Sequence, residues 1–131
     1  MKIREISSAE TLALRSQVLR PGRDISACKF DGDDAPETRH FGAVDTQDNI
    51  LGVVSVYHQD NPAIPIDGMS CQIRAMATAP ACRGQGLGNL LLTAAVNYAK
   101  SCCASLIWAN ARSSLSGFTP KPVLVWSPRN L

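Results

Sequence analysis

No apolar run in this chain is long enough to cross a bilayer, and the opening MKIREISSAE has none of the apolar core of a secretory leader. Charge of one sign is also missing. Thirteen Lys and Arg against eleven Asp and Glu leave a formal net charge of +2. That is too little to hold nucleic acid or an anionic membrane, so neither partner is expected and any anion site must be local. The five cysteines, Cys28, Cys71, Cys82, Cys102 and Cys103, form no CxxC pair and no metal spacing. An odd count without a leader fits reduced thiols, and the expected location is cytoplasmic, with the cysteines acting as small buried apolar residues. The acidic stretch DGDDAPE has no regular ligand spacing either, so residues 23–38 are expected to be a solvated, turn-rich loop without a metal.

What remains is a chain of 131 residues, 45% hydrophobic and 18% charged, which allows one domain around one core. KIREIS alternates Ile3 and Ile6 with charge and predicts a short edge strand. SSAETLALRSQVLR then predicts a helix, with Ser7 or Ser8 as N-cap, Glu10 in capping-box reach, and Leu12, Leu14, Val18 and Leu19 as its apolar face. Pro21-Gly22 should end it. RHFGAV, DTQDN and ILGVVSVYHQ predict a β-hairpin with a five-residue polar turn. MSCQIRAMAT is mostly apolar and predicts a central strand that must stop before Pro80.

The most informative stretch follows, ACRGQGLGNLLL, in which Gly84, Gly86 and Gly88 stand at the threshold of a helix. There they cost conformational entropy that alanine would not. Leu87, Leu91, Ala94, Ala95 and Tyr98 fall at helical spacing, Lys100 suits the helix C-terminus, and SLIWANA predicts the next strand. Strand, glycine turn, helix and strand make a βαβ unit with a parallel pair. Such a turn gathers backbone N–H groups at the positive end of a helix and suits a phosphate or pyrophosphate, with Arg83 placed to add a bidentate contact. A P-loop is excluded because no lysine follows in the required position. A dinucleotide fold is excluded because the spacing is G-x-G-x-G and the next strand ends in Asn110 and Arg112 without an acidic residue. A turn that merely lets helix and strand pack closely would not need three glycines and an arginine.

RGQGLG, in the pattern Q/R-x-x-G-x-G/A, resembles the cofactor loop of the GNAT N-acyltransferases, and the order of elements around it resembles that family over roughly residues 1–116. The resemblance implies an α/β architecture, an α+β mixed sheet, with the domain at 1–117. It implies acetyl-coenzyme A as cosubstrate, a small-molecule or peptide amine as acceptor, and transfer of an acetyl group between them. It implies that strand Gln72–Thr78 splays from strand Ser105–Ala111 to admit pantetheine. The cofactor contacts it implies are Met76, Ala77, Thr78, Arg83, Gly84, Gln85, Gly86, Leu87, Gly88 and Asn89. Asn110 is either a further contact or a cap on its strand.

Two family roles find no clear match. Some members carry a glutamate on the cofactor strand as general base, where this chain has Gln72, which cannot accept a proton at neutral pH. Beside Gln72 the only other weak catalytic candidate is His58, with His40 or water as substitutes, and a lone histidine is more often a structural hydrogen-bonder. Many members also continue into a helix whose tyrosine protonates the departing thiolate, whereas this chain reads SGFTPKPVLVWSPRNL. With one base inserted after the codon for Phe118, permitted codons spell Phe-Tyr-Pro-Lys-Ala-Gly-Phe. Residues 118–131 are therefore expected to be an aberrant, irregular tail from a shifted frame, lacking the family's last helix and hairpin. The edge of the strand 105–111 would then be bare, and a homodimer could cover it. A non-catalytic acyl-coenzyme A binder or scaffold of the same fold is the alternative function.

Overall fold

The computed structural model describes residues 1–111 and 121–128. Six strands form one sheet in chain order: β1 (Lys2–Ile6), β2 (Arg39–Val44), β3 (Ile50–His58), β4 (Ser70–Thr78), β5 (Leu106–Ala111) and β6 (Lys121–Trp126). Neighbours are antiparallel except β4 and β5, which are parallel. The connection between that parallel pair carries the longer helix, α2 (Leu87–Ser101), as a parallel crossover requires. The sheet is thus the expected mixed one, with the hairpin and the central β4 where the sequence puts them.

Helix α1 (Ser8–Leu14) begins in a capping box. Ser7 Oγ accepts from the Glu10 N–H at 3.2 Å, and Glu10 Oε1 accepts from the Ser7 N–H at 2.9 Å. It runs on into one wide π-turn over Arg15–Leu19, in which the Arg20 N–H reaches the Arg15 carbonyl at 2.9 Å. The face it buries differs from the expected one. Thr11 and Arg15 are fully buried with Leu14, whereas Leu12 is only partly so.

The two faces of the sheet are covered by different helices. On one face α2 presents Leu87, Leu91, Ala95 and Ala99, an i, i+4 stripe that is buried against Ala43, Val54, Val56, Cys71, Ile73 and Ile107. Ala94 and Tyr98 flank this stripe rather than lie in it. On the other face α1 and its π-turn close a smaller cluster of Ile6, Leu14, Val53 and Ala77. The small Ala95 and Ala99 let the helix lie close to the strands, and Gly52 does the same from β3, where a Cβ would come within 2.9 Å of Leu91 Cδ1.

The tail corrects an expectation. Residues 121–126 are a strand, β6, not an irregular segment. It pairs antiparallel with β5 from Ile107↔Trp126 to Ala111↔Lys121, so the β5 edge is covered by its own chain and no second copy is needed there. Lys100 Nζ lies 4.8 Å above the Trp126 ring and ties α2 to this strand. Of the rest of the expected aberrant tail, 118–120 and 129–131 lie outside the described residues.

Candidate active site

Strand β4 starts beside β5 and then leaves it. Only Ser70, Cys71 and Gln72 pair with Leu106, Ile107 and Trp108. Past that point β4 follows β3 through a bulge, where the register passes from Val53↔Ala77 to Ser55↔Arg74 and one extra residue is accommodated on β4. Within the bulge Ala75 takes φ 58°, a left-handed conformation that costs a non-glycine residue about 1–2 kcal/mol. Meanwhile β5 pairs onward with β6 as far as Ala111. The two parallel strands therefore part beyond Gln72, as the splay inferred for Gln72–Thr78 requires.

At the far end of β4 the Ala79 N–H bonds the Leu51 carbonyl at 2.8 Å, and Pro80–Cys82 form one 3-10 turn that leads into the glycines. The three glycines have two different reasons. Gly84 and Gly86 sit at φ 83° and 79°, and a Cβ on either would meet no atom within 4 Å. Their requirement is conformational, and the space beside them is open. Gly88 lies inside the helix, where a Cβ would touch Met76 Sδ at 3.8 Å. It sets the helix start against β4.

Gly86 is the N-cap of α2, and no side chain caps the helix among the described residues. The first-turn N–H groups of Leu87, Gly88 and Asn89 have no intrahelical acceptor by geometry, and they carry the positive end of the helix dipole. Arg83, Gly84, Gln85, Gly86 and Asn89 are exposed around this end, and Arg83 makes no ion pair among the described residues. Leu87 is different, since its side chain is in the core and only its backbone faces the turn. Met76 and Thr78 are partly exposed on β4, and Ala77 between them is buried against the α1 side.

A cleft of about 220 Å³ opens where the strands part, lined by Leu19, Arg20, Phe30, Gln72, Ile73, Arg74, Ala75 and Asn110. The fold thus brings Gln72 and Asn110 to one place. Asn110 is exposed, and β5 runs one residue beyond it, so it does not cap the strand. His58 is not part of this cleft. It lines a separate hollow with Gln59, Asp60, Gly68, Met69 and Ser70, and its Nε2 is buried without a hydrogen-bond partner among the described residues. The reason is strand alternation: His58 pairs with Cys71, one step out of phase with Gln72, and so points to the other face.

Behind the cleft lies a buried polar network that the sequence reading missed. Arg15 and Asp33 have fully buried side chains and form a bidentate pair, with Nη1–Oδ2 at 2.6 Å and Nη2–Oδ1 at 3.1 Å. The same guanidinium donates to the Cys28 carbonyl at 3.0 Å, Ser55 Oγ at 2.9 Å and Tyr57 Oη at 3.1 Å. Asp33 also accepts from the Phe30 N–H at 2.8 Å and from the Tyr57 hydroxyl. Burial alone would raise the Asp33 carboxyl, but the bonds from Arg15, Tyr57 and Phe30 outweigh it and hold the group below its ordinary range. Burial and the bond to Asp33 push the Tyr57 hydroxyl up to about 12. The expected solvated loop thus sends one acid into the core. A signal existed: Arg15 shares a helical face with Thr11, Leu14 and Val18, and an arginine there demands an acidic partner.

His40 completes this network and is committed to it. Its Nε2 lies 3.0 Å from the Asp33 carbonyl, which can only accept, so Nε2 carries a proton. Nδ1 sits 2.6 Å from Ser55 Oγ. Both tyrosines are likewise engaged inside the fold, because Tyr98 donates to the Glu37 carbonyl at 2.6 Å. No carboxylate, histidine, cysteine or tyrosine lines the cleft among the described residues. The stretch 112–120, where the family's acid would be sought, lies outside them.

Comparison with known proteins agrees with this geometry. The Acetyltransferase (GNAT) family matches residues 3–115. The chain is 27% identical over 121 residues to the uncharacterized N-acetyltransferase YitI of Bacillus subtilis (strain 168), covering 92% of this chain and 80% of that one. Its fold is similar to a ribosomal-protein-alanine N-acetyltransferase from Brucella melitensis biovar Abortus 2308, at TM-score 0.66 and 17% identity over 88% of this chain and 83% of that one. It is also similar to AAC(6')-Iy, solved in complex with the bisubstrate analog CoA-S-monomethyl-acetylneamine, at TM-score 0.70 and 14% identity over 88% and 82%. With its parted β4 and β5 and its glycine turn before α2, the chain belongs to the GNAT acetyltransferase family and is an acyltransferase.

Proposed function

We propose that this protein transfers an acetyl group from acetyl-coenzyme A to a primary amine. The observation that carries the reading is the parting of β4 from β5 next to an uncapped helix start with open space around it. In this reading the pyrophosphate lies on the N–H groups of Gly84 through Asn89, with Arg83 alongside. Pantetheine follows the free edge of β4 at Met76, Ala77 and Thr78, where strand hydrogen bonds to β5 are no longer made. Asn110 faces it across the gap. The family match and the structural neighbour solved with a coenzyme A analog support the cosubstrate.

The reaction asks little of the protein. A neutral amine nitrogen attacks the thioester carbonyl, a C–N bond replaces the C–S bond, and the amine's proton leaves as the thiol forms. Holding both partners in one cleft supplies most of the acceleration. A free β4 N–H at the thioester oxygen would stabilise the charge that develops there. With no titratable base lining the cleft among the described residues, proton removal falls to water or to the leaving thiolate. Calorimetry with acetyl-coenzyme A, followed by thiol release with a panel of amines, tests the reading. A folded protein that binds no acetyl-coenzyme A would overturn it.

A further inference from the structure

The cleft where β4 and β5 part has a charge that the described residues lining it do not balance. Arg20 and Arg74 both line it, and neither forms an ion pair among the described residues. No acidic side chain lines it among the described residues. The nearest carboxylate in the network behind, Asp33, is fully buried and already neutralised by Arg15. The one buried acid of the acidic loop is therefore occupied by Arg15 and does not line the cleft.

The two arginines are also held. Their guanidinium carbons each lie 5.1 Å from the centroid of the Phe30 ring, so they are no more than twice that distance apart. Arg74 stacks on Tyr57 as well, at 5.3 Å. An arginine parked on an aromatic face keeps its planar fork of donors free for a second partner and loses less side-chain freedom on meeting it. Arg15 also lies over this ring, at 4.4 Å, but is occupied by Asp33, so the forks of Arg20 and Arg74, in a cleft also lined by Gln72 and Asn110, are the ones available to an oxyanion.

We infer that the acceptor is a small amine carrying an anionic group, a carboxylate or a phosphate, read by Arg20 and Arg74, rather than a polycation. The inference rests on the acceptor side of the proposed acetyl transfer. A polycationic amine would meet two like charges that no acid lining the cleft among the described residues offsets, whereas an anionic amine would have its acid bound and its nitrogen directed toward the strand gap.

Binding to the protein alone, read by NMR shift perturbation, tests this without acetyl-coenzyme A, so it fails or stands apart from the cofactor reading. The probes are glycylglycine, its C-terminal amide, 2-aminoethyl phosphate and neamine. The expected result is at least tenfold tighter binding of glycylglycine or of the phosphate than of the amide, with shifts at Gln72, Arg74 and Asn110. Whichever of the two anions binds tighter identifies the acid. Arg74→Gln and the exposed Arg20→Gln should each weaken the anionic probe tenfold or more, and Arg74→Lys should recover part of that loss. Neither anion binding tighter than the amide, neamine as the tightest probe, or unchanged affinity in both glutamine variants would each overturn it.

Discussion

Single residues in this fold carry distinct and separable loads. Gly88 has an ordinary helical conformation and room for a Cβ beside Met76, so Gly88→Val should fold while placing a branched side chain at the proposed pyrophosphate cradle. Calorimetry should show at least a tenfold loss of acetyl-coenzyme A affinity with little change in Tm. Gly86→Ala should instead cost stability, about 1–2 kcal/mol, because its φ of 79° is left-handed. Asp33→Asn leaves Arg15 buried without a counter-charge and should cost about 3–5 kcal/mol in urea denaturation. Because the folded carboxyl lies below its unfolded value of about 4, its contribution is present above that pH and is lost as pH falls through the folded value. The wild-type protein should thus lose stability below about pH 4, and the variant should show a flatter acid limb.

At the scale of elements, β4 is the decisive strand. Its first three residues pair in parallel with β5, its bulge turns it, and its last residues have β3 as their one strand neighbour among the described residues. Ala75 sits at the turning point with φ 58°. Ala75→Gly should be tolerated, whereas Ala75→Val puts a β-branched side chain in a conformation it rarely adopts and should cost about 1–3 kcal/mol. Thermal melts of the two variants check this, and equal melting temperatures would contradict the bulge. The helices have complementary tasks: α2 fills one face with a stripe of small and large apolar residues and ends its N-terminus at the glycines. The π-turn after α1 brings Arg20 to the cleft while Arg15 goes inward.

The whole molecule combines a cleft that no titratable base lines among the described residues and a sheet whose last strand is its own tail. The pH dependence of kcat/KM should therefore follow deprotonation of the acceptor amine and move with it when amines of different pKa are compared. A fixed inflection near pH 6–7 for every amine would instead point to an enzyme base. The tail has a measurable role as well. Removing residues from Lys121 onward uncovers the β5 edge and takes away the Lys100–Trp126 contact. Light scattering should then show more self-association than the full chain gives at the same concentration.

Much of this was legible along the chain because it is written in local terms. Alternation over 39–58 sets the hairpin, Ser7 and Glu10 set a helix start, and three glycines before a leucine-rich stripe set an anion-binding turn. Each depends on neighbours a few residues apart, and the hairpin, the capped helix start and the glycine turn before α2 stand where expected. Strand alternation could even have excluded His58 from the face of Gln72, once their strands were known to pair. What the tertiary structure alone decided are contacts between residues far apart in the chain. Asp33 looks solvated until the loop folds over Arg15, and Arg20, Phe30 and Arg74 look unrelated until three segments meet at one ring. The tail looks irregular, with prolines at 120, 122 and 128, until β5 offers it an edge to pair with. A strand edge or a buried ion pair has no partner within its own segment, so its outcome depends on which distant residues the fold brings to it.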